Sequence, residues 1–295
     1  MIRARRLYMA TTIAASFTKL RQNLEITDLQ GSTVSTRQTN VRKAVEKDFT
    51  ILKSFLTGSY KRSTMIAPLN QADIDIFVVL GPSYYNASKP AALLDSVRAT
   101  LLKTYPETPS ISRNGQAVTI SFTDFKVDVV PAFNRKGGGF LIPSSRDGRW
   151  ISTDPTVHET YVTRSNTDHG GAVVPVIKMI KAWNRGISHS FVSFYLELIA
   201  VEIFAGVTLS SDPSAVRCFF DKGRERIKTK VKDPARLGEQ INGLDTTKTV
   251  EGAIGRFQTA YDRAIRAEQF ATRGKIADAV TEWRKVFGDY FPAYG

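Results

Sequence analysis

Apolar residues in this chain follow two regimes, which change near its middle. The first half carries short apolar runs of strand length, and from about Thr156 the apolar positions recur at helical intervals. Ile51 to Thr57 reads as a strand entering a Gly58-Ser59 turn, and Ile74 to Leu80 as a second, opened by Asp73 and Asp75. Val118 to Phe122 and Phe125 to Val130 read as two more. A helix is predicted from about Ser35 to Phe49, with Val41, Ala44, Val45, Asp48 and Phe49 on one face. Ser88 is placed to N-cap another, with Pro90 in its first turn and Leu94, Val97 and Leu101 as its core stripe. In the second half Val173, Val176, Ile177, Ile180 and Trp183 share a helical face, while Lys178, Lys181 and Arg185 fall on another. Phe191 to Phe204 is apolar nearly all round, which predicts a central buried helix. Phe257, Tyr261 and Ile265, then Ile276, Val280, Trp283 and Phe287, continue the helical spacing. Between the regimes, Phe133 to Trp150 is rich in Gly and Ser, and Gly137-Gly138-Gly139 predicts a mobile crossing between halves.

Composition adds limits. With 295 residues, 42% hydrophobic and 23% charged, the chain can bury one large core or two ordinary ones. No apolar run approaches the roughly 20 residues that cross a bilayer. A single cysteine, Cys218, excludes an intrachain disulfide, and three histidines without ligand spacing argue against structural zinc. A reducing cytoplasm fits best. The net charge of +13 draws polyanions, whether nucleic acid or free nucleoside triphosphates. The basic start, Met1 to Met9, lacks the apolar segment of a secretory signal and reads as a short flexible lead over residues 1–16, with Met9 the better start.

The chemistry gathers around Asp73 and Asp75. Two apart on a strand, their carboxylates point to one side, which is costly unless a positive charge compensates them. A divalent cation supplies that charge, and magnesium favours one or two carboxylates plus substrate phosphates. Asp128, flanked by Val127 and Val129 in the strand ending at Pro131, is the third carboxylate such a pair needs. Backbone N–H groups at Gly58-Ser59, where a helix begins, can hold β- and γ-phosphates, with the Ser59 hydroxyl as a further donor.

Gly58-Ser59, Asp73-Ile74-Asp75 and Asp128 together resemble the GS…DxD…D signature of the polymerase-β-like nucleotidyltransferases. The strings GSYKRSTMIAPLNQADIDIFVVL, VDVVPAF, PVIKMIKAWN, SFYLELIAVEIF and WRKVFGDYFP are similar, in order and spacing, to the bacterial cGAS/DncV-like nucleotidyltransferases, the CD-NTases. The likeness runs from about residue 17 to the C-terminus. It implies a two-lobed α+β fold: a mixed sheet with a long N-terminal helix over residues 17–150, and an OAS-like helical lobe over 151–295. It implies two Mg2+ ions, with Mn2+ as a substitute, held by Asp73, Asp75 and Asp128, and Asp128 helping to deprotonate the acceptor hydroxyl. It places Lys181 and Ser193 against the donor triphosphate and Phe194 against the donor base. The implied reaction condenses nucleoside triphosphates into a cyclic di- or trinucleotide, releasing pyrophosphate, as a messenger to a downstream effector in anti-phage (CBASS) defence.

Bases, ring size and linkage stay open, because loops set the pocket. Two rivals also stay open: template-independent linear transfer to RNA or another acceptor, and an inactive relative that senses nucleic acid. Retention of all three aspartates weighs against the second, and without a zinc-type Cys/His cluster nucleic acid is not expected to be required. Lys178 and Arg185 read as solvated, His158, His169 and His189 as surface or loop residues, and Asp233-Pro234 as a structural turn of the helical half.

Overall fold

The computed structural model describes residues 11–108, 110–244 and 248–295. Most of the expected lead, with Met9, lies outside them. Its last residues do not belong to a lead: Thr12 caps a helix through its side chain, which accepts from the Ala15 N–H at 3.1 Å. In chain order the elements are helices α1 (Ile13–Leu24) and α2 (Asp28–Val45), strand β1 (Ile51–Leu56), the short helix α3 (Gly58–Lys61) and strand β2 (Asp73–Leu80). Helix α4 (Pro90–Thr104) follows, then strands β3 (Ser110–Asn114), β4 (Ala117–Ser121), β5 (Lys126–Asn134), β6 (Phe140–Pro143) and β7 (Trp150–Thr153). Helices α5 (Pro155–Asp168), α6 (Val173–Gly186), α7 (Ser193–Phe204), α8 (Asp212–Arg226), α9 (Val250–Thr272) and α10 (Ile276–Phe287) complete the chain.

The long helix expected near the N-terminus is α2, of 18 residues, and α1 precedes it as a separate helix. Glu25 is extended, and Thr27 begins α2 with a capping box in which it and Gln30 satisfy each other's backbone donors. Ser88 is not an N-cap: Lys89 holds that place, and the Ser88 N–H donates to Asn86 Oδ1 in a local turn.

By its contacts the chain divides into two compact units, Ile26–Thr163 with Lys232–Gln240, and the segment ending at Glu25 with Arg164–Val231 and Ile241–Gly295. The first is built on a sheet of order β1-β2-β5-β4-β3, in which only β2 and β5 run parallel. On one face Ile74, Ile76, Val78 and Leu80 of β2, with Val127 and Val129 of β5, pack under Val41, Ala44 and Val45 of α2 and Leu94, Val97 and Leu101 of α4. The other face has a smaller apolar cluster, Phe77, Val79 and Ala132 with Phe55, Phe140 and Ile142. Asp73 and Asp75 precede Phe77 on this second face, because side chains alternate along β2.

The Gly-rich stretch is not a crossing. β6 pairs with β5 and β7 with β6, so residues 133–153 form a folded-back ribbon. Gly139 has φ +70°, and a Cβ there would lie 2.9 Å from Thr153 O and overlap the Leu237 side chain. Segment 232–240 packs on this ribbon, so Asp233-Pro234 belongs to the sheet unit rather than the helical half. Asp233 is 7% exposed; its Oδ1 meets His158 Nε2 at 2.6 Å, and its Oδ2 accepts from the N–H groups of Leu237 and Gly238. His158 is therefore no surface histidine. Burial alone would raise the Asp233 carboxyl, but the Gly238 N–H, the His158 ring and the Ala235 N–H outweigh it and hold it below the ordinary range. A depressed carboxyl stabilises the fold at pH values above its unfolded value near about 4, and that contribution is lost as pH falls through the native value. Asp233→Asn, which turns an amide toward donors, is expected to cost about 2 kcal/mol at neutral pH. In urea melts between pH 7 and 3 the gap to wild type should narrow as the pH falls; a constant gap would contradict this assignment.

In the second unit α1 packs through Phe17 against Trp283, Phe287 and Phe291, with ring centroids 5.0, 6.1 and 5.2 Å apart. The division at 150/151 with α1 on the catalytic side therefore does not describe the contacts. A second aromatic group joins Trp183, Phe191, Phe220 and Phe257. Along α9 the buried line is Ala253, Phe257, Ala260, Ala264 and Ala267, with Tyr261 and Ile265 only half-buried. Small side chains let α8 and α10 approach it closely.

Lys178 is not solvated. It is 7% exposed and donates to Glu25 Oε2 at 2.6 Å, while Arg185 donates to the Tyr290 hydroxyl at 2.7 Å. His169 is also engaged, with ring nitrogens 2.7 and 2.9 Å from the carbonyls of Ser165 and Phe204, and His189 is exposed as expected. Among the described residues no helix is long and apolar enough to cross a membrane.

Candidate active site

The candidate site is assembled by β1, β2, β5 and β4 of the sheet unit. β1 pairs with β2 up to Leu56 opposite Ile76, and the next N–H, of Thr57, donates to Asp75 O at 2.9 Å. The chain then turns at Gly58, φ +63°, into α3. A Cβ at Gly58 would stand 2.6 Å from Asp75 Cγ and closer still to its Oδ2, so this backbone touches the carboxylate directly. Ser59 follows, and its carbonyl accepts from the N–H groups of Thr64 and Met65, closing the loop after α3. The first N–H groups of a helix have no partner within it, and Gly58 and Ser59 are the first two residues of α3.

β2 and β5 run parallel with Asp75 opposite Asp128 and Asp73 opposite Lys126. Paired residues in neighbouring strands point to the same side and lie about 5 Å apart. Asp73, Asp75 and Asp128 therefore share one face, with Asp73 exposed and the other two half-buried. On the far side of β5, Thr119 of β4 stands opposite Asp128 and donates its hydroxyl to Oδ1. The Asp128 carboxyl is pushed up from the ordinary range, first by burial and also by the charge of Asp73, against the Thr119 hydrogen bond and the charge of Lys126.

Three carboxylates on one face form an oxygen-only donor set of the kind a hard divalent cation takes. Among the described residues no three His, Cys, Asp or Glu side chains close into a metal-binding cluster, so the aspartates are aligned in register without meeting at one point. Repulsion between like charges favours this spread. The set fits a divalent cation in ligand type: Asp75 and Asp128 come from paired positions of adjacent strands and Asp73 from the exposed strand start.

The remaining candidates belong to the helical unit. Lys181, on α6, is 8% exposed and donates to Glu197 Oε1 of α7 at 3.0 Å; Glu197 is fully buried. Ser193 and Phe194 open α7, both half-buried, with Val192 at the N-cap making no side-chain cap bond. Glu197 and Thr119 were not singled out by any motif. The available signal was a lone polar residue in an apolar run: Thr119 within Ala-Val-Thr-Ile, Glu197 within Tyr-Leu-Glu-Leu-Ile.

Comparison with known proteins meets this geometry. The Second Messenger Oligonucleotide or Dinucleotide Synthetase domain (SMODS) matches residues 11–166, which hold β1 to β7 and all three aspartates. A "Probable cyclic nucleotide synthase" of Bacillus cereus is 28% identical over 276 residues, covering 80% of this chain and 81% of that protein. A cyclic AMP-AMP-AMP synthase of Acinetobacter sp. is 30% identical over 136 residues, 45% of this chain and 39% of that one. Escherichia coli CdnC, solved with ATP, superposes with a TM-score of 0.73 at 21% identity over 95% of this chain and 99% of its own. The CD-NTase CdnG of Bradyrhizobium diazoefficiens, solved with GTP, gives 0.74 at 14% identity over 94% and 95%. A strand-turn that grips Asp75, a register that sets it beside Asp128, and a domain match across more than half the chain agree: this protein belongs to the cGAS/DncV-like nucleotidyltransferases, the CD-NTase enzymes built on a SMODS domain.

Proposed function

We propose that this enzyme joins nucleoside triphosphates into a cyclic di- or trinucleotide, releasing pyrophosphate, and that the product is a messenger to an effector in anti-phage (CBASS) defence in the cytoplasm. The observation that carries the reading is the Asp75–Asp128 register with the Gly58 turn set against Asp75. ATP in the CdnC structure, GTP in the CdnG structure and the cyclic trinucleotide named for the Acinetobacter relative support the substrate and product class.

In this reading the N–H groups at Gly58 and Ser59 hold the β- and γ-phosphates of the donor, and Lys181, Ser193 and Phe194 engage its triphosphate and base. Lys181 can do so only by sharing its ammonium between the phosphates and Glu197. Asp73 and Asp75 would hold two magnesium ions, with Asp128 completing the site nearer the acceptor. Magnesium, when bound, supplies neutralisation of phosphate charge and a lowered pKa for the attacking hydroxyl. Asp128, with Oδ1 hydrogen-bonded to Thr119, accepts the proton of the acceptor ribose hydroxyl through Oδ2 as that oxygen attacks the α-phosphate in line with departing pyrophosphate.

The test is incubation with labelled ATP, GTP, CTP and UTP, singly and mixed, with Mg2+ or Mn2+ and no nucleic acid, followed by phosphatase and mass analysis. A phosphatase-resistant product with equimolar pyrophosphate per bond is expected, and EDTA should abolish it. Phosphatase-sensitive products only would replace ring closure by linear transfer. An absolute requirement for added DNA or RNA would overturn the expectation that nucleic acid is dispensable.

A further inference from the structure

A hydroxyl beside Asp128 has no part in the family motifs. Thr119 sits in β4 between Val118 and Ile120, opposite Asp128, and is 7% exposed. Valine has nearly the same shape and suits a buried strand equally well, so packing alone does not call for a hydroxyl here. The hydroxyl is spent on one bond, to Asp128 Oδ1. Its geometry is set by the sheet: adjacent antiparallel strands put the two side chains on the same face at hydrogen-bond reach, and β4 is itself held between β3 and β5.

We propose that Thr119 is the positioning residue of this site, fixing the Asp128 carboxylate so that Oδ1 is tied to β4 and Oδ2 is presented on the face shared with Asp73 and Asp75. A carboxylate free to rotate about its own χ angles would spend much of its time turned from its neighbours, since Asp73 repels it and no backbone donor restrains it among the bonds of this site. Outer partners of metal-ligating groups act this way, orienting a ligand they do not replace. The claim rests on the reading of Asp128 as a ligand for divalent cations and the acceptor; it adds the residue that makes that ligand rigid.

The experiment compares wild type with Thr119→Val and Thr119→Ser. T119V removes the donor and keeps the shape; T119S keeps the donor and removes a methyl. Two readouts are taken: Mn2+ binding to the protein alone by electron paramagnetic resonance, and kcat and KM for nucleotide condensation. T119V is expected to weaken Mn2+ binding and to lower kcat by about 10–100-fold each. KM for ATP should change by less than about threefold, because none of the residues proposed to contact the triphosphate directly is Asp128. T119S should return both values to within about threefold of wild type. Should T119V fail to fold, the Thr119→Ala and T119S pair reads the same difference. A folded T119V with wild-type Mn2+ affinity and kcat overturns the assignment, as does a loss that T119S does not restore. If wild type condenses no nucleotides while Mn2+ affinity still depends on the Thr119 hydroxyl, the positioning role stands and the functional reading falls.

Discussion

Replacing Asp75 by asparagine is expected to cut nucleotide condensation by about a thousandfold, equivalent to about 4 kcal/mol of transition-state stabilisation. The substitution keeps size and hydrogen-bonding shape and removes one negative charge. Asp75 has the central place among the three carboxylates, opposite Asp128 across the β2–β5 pair, two residues from Asp73 and against the Gly58 backbone. Its loss withdraws the ligand that any cation between the strands must share. Asp75 is half-buried, so the effect of the substitution on the fold is read separately from its effect on the chemistry. Pyrophosphate release and thermal melts of the same preparation decide the matter. Retained synthesis would remove Asp75 from the chemistry, and a collapsed melting temperature would assign it a structural role instead.

Gly58→Ala is expected to lower activity by about a hundredfold and to destabilise the protein by about 2–3 kcal/mol, through two separable causes. The first is backbone: φ +63° costs an L-residue roughly 1 kcal/mol. The second is contact, since the new methyl would occupy the space of the Asp75 carboxyl and drive it off the face it shares with Asp128. A double-mutant cycle separates them. With Asp75→Ala in the background the overlap with Oδ2 and Cγ disappears and only a 3.1 Å approach to Cβ remains, so the stability loss from G58A should shrink toward the backbone cost of roughly 1 kcal/mol. A loss unchanged in that background would show that Gly58 is required for its φ alone and that the turn does not set the position of Asp75.

The parts of the site that were readable beforehand share a physical property: they are encoded within a few residues of each other, or by an alternation that forces a direction. Asp73 and Asp75 must share a face in any strand, and Gly58-Ser59 follows an apolar run in a way that demands a turn. The unreadable parts depend on partners far away in sequence. β3 buries only Ile111 of its five residues, so no apolar pattern announces it; it is held by pairing with β4. β6 and β7 hide in a Gly- and Ser-rich stretch because ribbon strands need backbone partners more than side-chain pattern. Lys178 reads as solvated and shares the polar face of its helix with Lys181, yet α6 is covered by α1, α7, α8 and α10, and each lysine is admitted to that interior by a glutamate.

From the amino-acid order alone came the strands that carry the aspartates, the helical second half, the catalytic class and the absence of a disulfide framework. These follow from local periodicity and from residue chemistry, which need no knowledge of the rest of the chain. The tertiary structure decided which face α1 covers, where segment 232–240 returns, that Asp75 stands opposite Asp128, and that Thr119 ties down the carboxylate. Apolar surfaces attract without direction, and many pairings would bury them equally well, so only the assembled packing selects one. Strand register is chosen in the same way, by the summed burial of whole faces, and it is register that brings three separate aspartates onto one face.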